Sequence, residues 1–168
     1  MSEDAPKQVK PWQRSLTRRL LLQAIYQWQI SQAAPAQIEQ QFDDRLQRAD
    51  RAYFSNVFMA VVEEHEALDA RIAPRLDRAL SALDQVERAI LRMATCEFVH
   101  RTDVPFKVVI DEAVKLARDF GATDSHRYVN GVLDTLAREL RASEVKGADA
   151  PAEPTAEAPP AEAPPADG

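Results

Sequence analysis

The chain has 168 residues, 45% of them hydrophobic, which is enough for one domain of ordinary size with its own core. Its single cysteine cannot form a disulfide framework or a thiolate zinc site. Its four glycines, two of them within the last 22 residues, cannot build the glycine-rich phosphate loops of nucleotide-binding enzymes. The net charge is −6, but from position 144 onward six acidic residues against one lysine account for −5 of it, so the body is nearly neutral.

Residues 1–13 contain charges and prolines instead of the apolar stretch of a secretion signal, and the sequence has no run of about 18 apolar residues. We therefore expect a cytoplasmic protein with no membrane partner. We interpret residues 1–13 as a flexible N-terminal extension ahead of a helical domain at 14–142.

Apolar side chains recur at spacings of three and four along most of this domain, which is the period of an amphipathic helix. They predict a first helix that ends near Ala33, a short second helix around Ile38 and Phe42, and a third helix over 50–74. Leucines with the same spacing predict a brief fourth helix within 76–83.

Asp84 and Glu87 have the spacing of a capping box, in which each side chain accepts a hydrogen bond from a backbone N–H at a helix start, and they predict a fifth helix. A sixth helix begins near Pro105, which is tolerated in a first turn, and ends at Gly121. A seventh begins near Asp124. About seven helices without sustained strand-like alternation predict an all-α fold of one or two helical bundles.

Alanine, proline and glutamate dominate the sequence from Lys146 to Gly168, with almost no large apolar side chain. Such a segment cannot offset the entropy that it would lose on ordering. We therefore expect residues 143–168 to form a disordered acidic tail.

The first candidate site is a basic cluster at the start of the first helix. Arg14 and Arg18 lie one helical turn apart, with Arg19 beside them. Cations oppose the helix dipole at an N-terminus, so helix stability does not explain the cluster. Guanidinium groups bind RNA phosphates and bases, which makes an RNA site one interpretation. An ordinary solvated surface is the alternative.

The second candidate site is the turn between the sixth and seventh helices, where Phe120, Asp124 and Tyr128 are spaced by four. The two aromatic rings could stack on unpaired bases, and the carboxylate could accept hydrogen bonds from a base edge. Alternatively, Phe120 anchors a helix end, Asp124 is an N-cap and Tyr128 is a core residue with a solvated hydroxyl.

The sequence offers no catalytic or metal-binding pattern. The three histidines lie far apart, and adjacent carboxylates point in different directions on a helix. Cys96 stands among apolar neighbours that do not activate a thiolate. We therefore expect a protein that is not an enzyme and that carries no cofactor or metal.

Four stretches, in this order along the chain, resemble the NusB family. They are QAIYQWQIS at 23–31, DQVERAILRMATCEF at 84–98, DVPFKVVIDEAVKLARDFG at 103–121 and DSHRYVNGVLD at 124–134. The resemblance covers residues 14 to about 141. It implies an all-helical fold of two three-helix subdomains that share a long helix.

The resemblance also implies a role in transcription antitermination, with no bond made or broken. Family members bind single-stranded boxA-type RNA together with the ribosomal protein NusE and promote processive transcription of ribosomal RNA operons. Other Nus factors and RNA polymerase are then indirect partners. Alone, the chain is expected to be a monomer or a weak homodimer.

Matching positions carry the family's site residues over to this chain. Arg14 and Arg18 fall in the basic segment, whereas Ser15 and Leu16 stand where other members have further arginines, and Arg19 replaces an acidic residue. The positions that the family uses beside its RNA are Phe120, Asp124 and Tyr128. The positions that support the RNA or NusE surface are Tyr26 and Glu87.

Two other functions are compatible with these residues. The same helical fold resembles the RNA-binding region of some ribosomal RNA cytosine methyltransferases, so the chain could be an RNA-binding module that acts beside such an enzyme. It could also be a protein-only helical scaffold, which would bind no boxA-type RNA even with NusE present.

Overall fold

The structure is a computed structural model that describes residues 8–149, and within this range it contains α-helices and 3₁₀ turns but no β-strand. The predicted all-α fold is therefore confirmed. The α-helices are α1 Pro11–Ser31, α2 Pro35–Gln41, α3 Asp43–Leu46, α4 Arg51–Ile72, α5 Gln85–His100, α6 Phe106–Phe120, α7 Ser125–Leu140 and α8 Ala142–Asp149. Over the same range, no helix is both long and apolar enough to cross a bilayer.

Two predicted helices differ in the structure. The short second helix is divided into α2 and α3, which meet at Phe42. The brief fourth helix is absent, and two 3₁₀ turns, Ala73–Arg75 and Leu80–Ala82, occupy its place. Pro74 lies in the first of these turns, where it has no N–H to continue α4. The leucines of this segment pack against the core from a loop. Their spacing therefore does not indicate a helix, and this prediction is wrong.

Helix α5 lies at the centre of the molecule and packs against α1, α4, α6 and α7. Ten consecutive residues, 89–98, are buried, so this helix is enclosed on all sides. Cys96 lies in this stretch, with its Sγ 3.9 Å from the carbonyl oxygen of Val57 on α4. Burial raises the pKa of its thiol to about 12. The surrounding helices each bury one apolar face against α5, as their sequence periodicity predicts.

Polar side chains fix the starts of two helices. Asp50 accepts a hydrogen bond from the Tyr53 backbone N–H at 3.1 Å, and its own N–H donates to Thr17 Oγ1 at 2.9 Å, which ties the start of α4 to α1. At α5 only half of the predicted capping box forms. Asp84 accepts from the Glu87 N–H at 2.7 Å, but the Glu87 carboxylate accepts instead from the Ser125 hydroxyl at 2.7 Å.

Both predicted domain boundaries fall inside helices. Helix α1 begins at Pro11, within the segment predicted to be a flexible extension, because proline suits a first helical turn. Helix α8 covers 142–149, the beginning of the predicted acidic tail. There Glu144 Oε1 accepts from the Phe106 N–H at 2.9 Å, which satisfies a free donor at the start of α6. Residues 150–168 of the predicted tail lie outside the described residues.

Candidate nucleic-acid interface

Helices α1 and α6 lie side by side and run in the same direction. Ser15 Oγ, in the second turn of α1, donates to Glu112 Oε1 in the middle of α6 at 3.0 Å, and further along Arg19 reaches Phe120 at the end of α6. We call this surface, from Lys10 to Phe120, the α1–α6 seam. A groove of about 310 Å³ beside Lys10 marks its beginning. The seam therefore connects the predicted basic cluster with the predicted aromatic turn.

Arg19 and Phe120 form the contact at which the two candidate sites meet. The guanidinium carbon of Arg19 lies 5.2 Å from the centroid of the Phe120 ring, within the range of a cation–π interaction. Arg19 is exposed, and Phe120 keeps 39% of its surface exposed, which is unusual for a phenylalanine. A positive charge and an apolar ring are thus both available to a ligand on the seam.

The turn after Phe120 depends on a glycine. A Cβ added to Gly121 would lie 2.6 Å from the carbonyl oxygen of Ala117 and 3.0 Å from the Ser125 Cβ, so a larger residue would force the backbone apart. Asp124 follows in the left-handed region, with a φ of 67°, and its side chain makes no capping hydrogen bond. Asp124 therefore occupies the N-cap position of α7, as one interpretation of the sequence predicts, but its side chain does not cap the helix. Its exposed carboxylate lies 4.0 Å from Arg127, which is also exposed.

Tyr128 is half-buried, and neighbours from the loop between α4 and α5 surround its exposed part. Its hydroxyl donates to Asp77 Oδ1 at 3.0 Å, and the guanidinium carbon of Arg78 lies 4.5 Å from its ring centroid. The start of α5 joins this position to Phe120, because Val86 lines a groove with Phe120 while the next residue, Glu87, contacts α7. The start of α5 therefore lies between the element that carries Tyr128 and the groove that Phe120 lines.

Arg14 is only partly available to a ligand. Its Nη2 donates to Asp50 Oδ2 at 3.2 Å, and its guanidinium carbon lies 3.9 Å from the ring centroid of Tyr53. The side chain is 22% exposed, and it borders the same groove as Lys10. Arg14 could contact a phosphate at the rim of that groove while it keeps its partners.

Arg18, one of the predicted RNA-binding residues, faces the interior of the protein. Its side chain is 2% exposed, and its Nε and Nη2 both lie 2.9 Å from Oε1 of Glu97 on α5. The Tyr53 hydroxyl also donates to this oxygen. Arg18 faces inward because a carboxylate buried within α5 requires a cation, and Glu97 lies 79 positions away in the sequence, where spacing could not reveal it.

Burial raises the pKa of the Glu97 carboxyl, although Arg18 and the Tyr53 hydroxyl both favour its charged form. Burial and the negative charge of Glu97 likewise raise the pKa of Tyr53. These three side chains thus form a buried polar cluster beneath the basic end of the seam. Their role is to hold α1, α4 and α5 together.

Tyr26, one of the two predicted partner-binding residues, is exposed in a groove. It keeps 39% of its surface exposed and lines an apolar groove of about 500 Å³. The groove is formed by Leu22, Gln23, Tyr26, Gln27, Ile30, Ser31, Val86 and Phe120. It is shaped to accept apolar side chains, and it adjoins the seam through Phe120.

Glu87, the other predicted partner-binding residue, is 8% exposed, and one of its carboxylate oxygens accepts the hydroxyl proton of Ser125. Its observed contact joins α5 to α7. The structure therefore gives Glu87 an internal role and leaves little of its surface for a partner.

Sequence reasoning missed two polar residues that border the site, Asp77 and Arg78. They lie between two 3₁₀ turns, in the segment for which the leucine spacing predicts a fourth helix, and from there they contact Tyr128. The available signal was Pro74, which makes a loop more probable than a new helix directly after α4.

Comparisons with known proteins agree with this architecture. The family model described as the NusB family matches residues 15–138. The transcription antitermination protein NusB of Pseudomonas putida (strain W619) is 47% identical over 145 residues, which cover 85% of this chain and 87% of the relative. The protein of the same name from Alcanivorax borkumensis is 48% identical over 136 residues, which cover 80% of this chain and 91% of the relative.

Solved structures have the same fold. Thermotoga maritima NusB superimposes with a TM-score of 0.69 at 28% identity, over 79% of this chain and 94% of that one. A chain from the crystal structure of the antitermination factors NusB and NusE in complex with dsRNA gives a TM-score of 0.70 at 20% identity, over 77% of this chain and 99% of that one. This second likeness concerns the fold alone.

Proposed function

Because this chain belongs to the NusB family, we propose that it is a transcription antitermination factor that binds boxA-type single-stranded RNA together with the ribosomal protein NusE. In this role it promotes processive transcription of ribosomal RNA operons in the cytoplasm. It meets other Nus factors and RNA polymerase only through the assembled complex. It acts by binding, without catalysis and without a cofactor, and its RNA-binding unit is the helical body, residues 14–142.

The observation that carries the proposal is the contact between Arg19 and Phe120. It places an exposed cation and an exposed aromatic ring next to each other, which is the combination that single-stranded RNA requires. The cation attracts phosphates and the ring stacks on an unpaired base.

The arrangement of side chains suggests a path for the RNA along the α1–α6 seam. The backbone would contact Lys10 and Arg14 near the start of α1 and Arg19 further along. A base would stack on Phe120, and the chain would continue around the start of α5 toward Asp124, whose exposed carboxylate can accept hydrogen bonds from a base edge. Arg18 takes no part in this path.

NusE is assigned to the apolar groove that contains Tyr26. Phe120 lines this groove and also belongs to the seam, so the partner surface and the RNA surface adjoin. Binding of either ligand can then orient Phe120 for the other. By linkage, each ligand raises the affinity for the other by the same factor.

Replacement of Arg19 by alanine should weaken RNA binding by about fivefold and reduce the slope of log affinity against log salt by about 0.7, because one phosphate contact is lost. Replacement of Phe120 by alanine should weaken binding by about 1–3 kcal/mol and leave the slope unchanged, because stacking carries no charge. Fluorescence anisotropy with a labelled boxA-type oligonucleotide at several salt concentrations measures both quantities.

Arg138→Ala is the matched control. Arg138 is an exposed arginine of α7, paired with Asp134, and it borders a different groove between α6, α7 and α8. Its replacement should change neither affinity nor slope. If RNA affinity fell equally in the Arg138 and Arg19 variants, binding would depend only on the net charge of the protein. That result would contradict the proposal that RNA binds along the α1–α6 seam.

Replacement of Tyr26 by alanine should weaken binding of NusE by about tenfold, because exposed tyrosines in apolar grooves are typical interface anchors. Calorimetry with purified NusE measures this loss, and RNA binding by the chain alone should remain as in the wild type. Val108→Ala provides the control, since Val108 is exposed to a similar extent, 40%, but lies at the other end of the seam.

An electrophoretic mobility assay tests the function as a whole. The chain is titrated into boxA-type RNA and into a scrambled RNA, each with and without NusE, and we expect a shift of the boxA-type RNA that NusE strengthens. The protein-only scaffold predicts no shift under any of these conditions. An RNA-binding module of a methyltransferase predicts a shift that NusE does not change.

A further inference from the structure

The loop between α4 and α5 covers one of the residues that the family places beside RNA. The guanidinium carbon of Arg78 lies 4.5 Å from the centroid of the Tyr128 ring, so part of that ring is already occupied. Arg78 itself keeps 48% of its side chain exposed. A base that approaches Tyr128 from this side therefore meets the guanidinium group first.

Asp77 holds this guanidinium group in place. Its Oδ1 lies 2.8 Å from Nε of Arg78, and its Oδ2 lies 3.4 Å from Nη2, so the carboxylate faces the guanidinium fork. The Tyr128 hydroxyl donates to the same Oδ1 at 3.0 Å and closes a ring of three side chains. Arg78 and then Tyr128 hold the pKa of Asp77 below its usual range, so the carboxylate is charged at neutral pH.

This arrangement determines which part of Arg78 is available. The N–H groups that point toward Asp77 have a partner, and the negative charge of Asp77 repels a phosphate at that edge. One flat face of the guanidinium group lies over the Tyr128 ring, and the side chain as a whole stays 48% exposed, which leaves the other face for a ligand. Guanidinium planes stack on bases as aromatic rings do.

We propose that Arg78 binds RNA directly, with an unpaired base stacked on the outer face of its guanidinium group above the Tyr128 ring. This inference rests on the proposed function and adds a binding residue to the same RNA surface. The base, the guanidinium group and the tyrosine ring form three layers, and Asp77 fixes the position of the middle one. Phe120 and Arg78 are then two stacking positions of this RNA surface.

The test compares Arg78→Ala with Arg78→Lys, since lysine keeps the positive charge but has no plane to stack. The probes are boxA-type oligonucleotides that each carry one 2-aminopurine, whose fluorescence is quenched by stacking. We expect both variants to lose the quenching at one nucleotide position that the wild type shows. The affinity of both variants for the RNA should fall by about fivefold or more. The lysine variant should keep the salt dependence of the wild type, because it keeps the positive charge.

Arg138→Ala serves again as the control with an unchanged fluorescence pattern, and thermal unfolding verifies that each variant is folded. Wild-type affinity in Arg78→Ala would overturn the inference. So would recovery of both affinity and quenching in Arg78→Lys, because that result assigns Arg78 to a phosphate. Failure of the wild-type chain to bind the RNA even with NusE would overturn the proposed function as well, which separates the two failures.

Discussion

In an Arg18→Met variant, the free energy of unfolding should fall by about 3–5 kcal/mol, because Glu97 would remain buried without its cation. Methionine fills a similar volume, so the loss reports the charge and not a cavity. Urea unfolding followed by circular dichroism measures the change. A decrease below about 1 kcal/mol would contradict a buried ion pair at this position.

The loss should depend on pH in a defined direction. Burial raises the pKa of Glu97 in the folded state, so its protonation favours folding below the ordinary glutamate pKa, and this favourable contribution is lost as the pH rises through the folded-state pKa. Without Arg18 the carboxylate is even less favoured. The deficit of Arg18→Met relative to the wild type should therefore be smallest in acid, and it should grow toward neutral pH.

A double replacement, Arg18→Met with Glu97→Met, is the control for this prediction. It removes both buried charges, and apolar residues often replace such a pair with little cost. We expect it to regain at least half of the stability that Arg18→Met loses.

An Arg141→Met variant should lose about 3 kcal/mol of unfolding free energy or more, since unsatisfied buried acceptors each cost about 1–3 kcal/mol. Arg141 is 6% exposed and donates to four backbone carbonyls at 2.7–3.2 Å. These belong to Glu97, Phe98, Arg101 and Val104, around the end of α5. The guanidinium group thus takes the place of a C-terminal cap and suits the negative end of the helix.

Differential scanning calorimetry would show this loss as a decrease in Tm of roughly 6–12 °C, given the usual entropy of unfolding of a domain of this size. Arg138→Met on the exposed side of α7 should shift Tm by little, and it serves as the matched control. If the two variants had the same Tm, the contacts of Arg141 with backbone carbonyls would not contribute to stability.

The helices that bury one face could be predicted, because their apolar spacing records that face. This holds for α1, α4, α5, α6 and α7. The spacing of Leu76, Leu80 and Leu83 was misleading, since a loop with two 3₁₀ turns brings the same side chains to the core. Helix α8 could not be predicted because Val145 is its one buried apolar residue among those described, and its place depends on contacts of Arg141 and Glu144.

The site was predictable where the residues are exposed and not where arginines fold inward. Arg19 and Phe120, which the sequence assigns to two separate candidate sites, lie together on the surface. Arg18 stands in the same run of basic residues but points toward α5. The decisive clue was Glu97, a carboxylate among apolar residues of an enclosed helix, which requires a cation from elsewhere in the chain.

The position of Cys96 makes its thiol a natural probe for local opening between α4 and α5. With the thiol buried beside α4 and its pKa raised to about 12, a thiol-reactive dye should react slowly with the folded chain and faster when α4 and α5 separate. Because Cys96 is the single cysteine of the chain, the labelling rate measures how often the central helix α5 opens, and the protein needs no added tag. Conversely, a cysteine introduced on the surface would be labelled alone, so a dye could be placed beside the bound RNA at will.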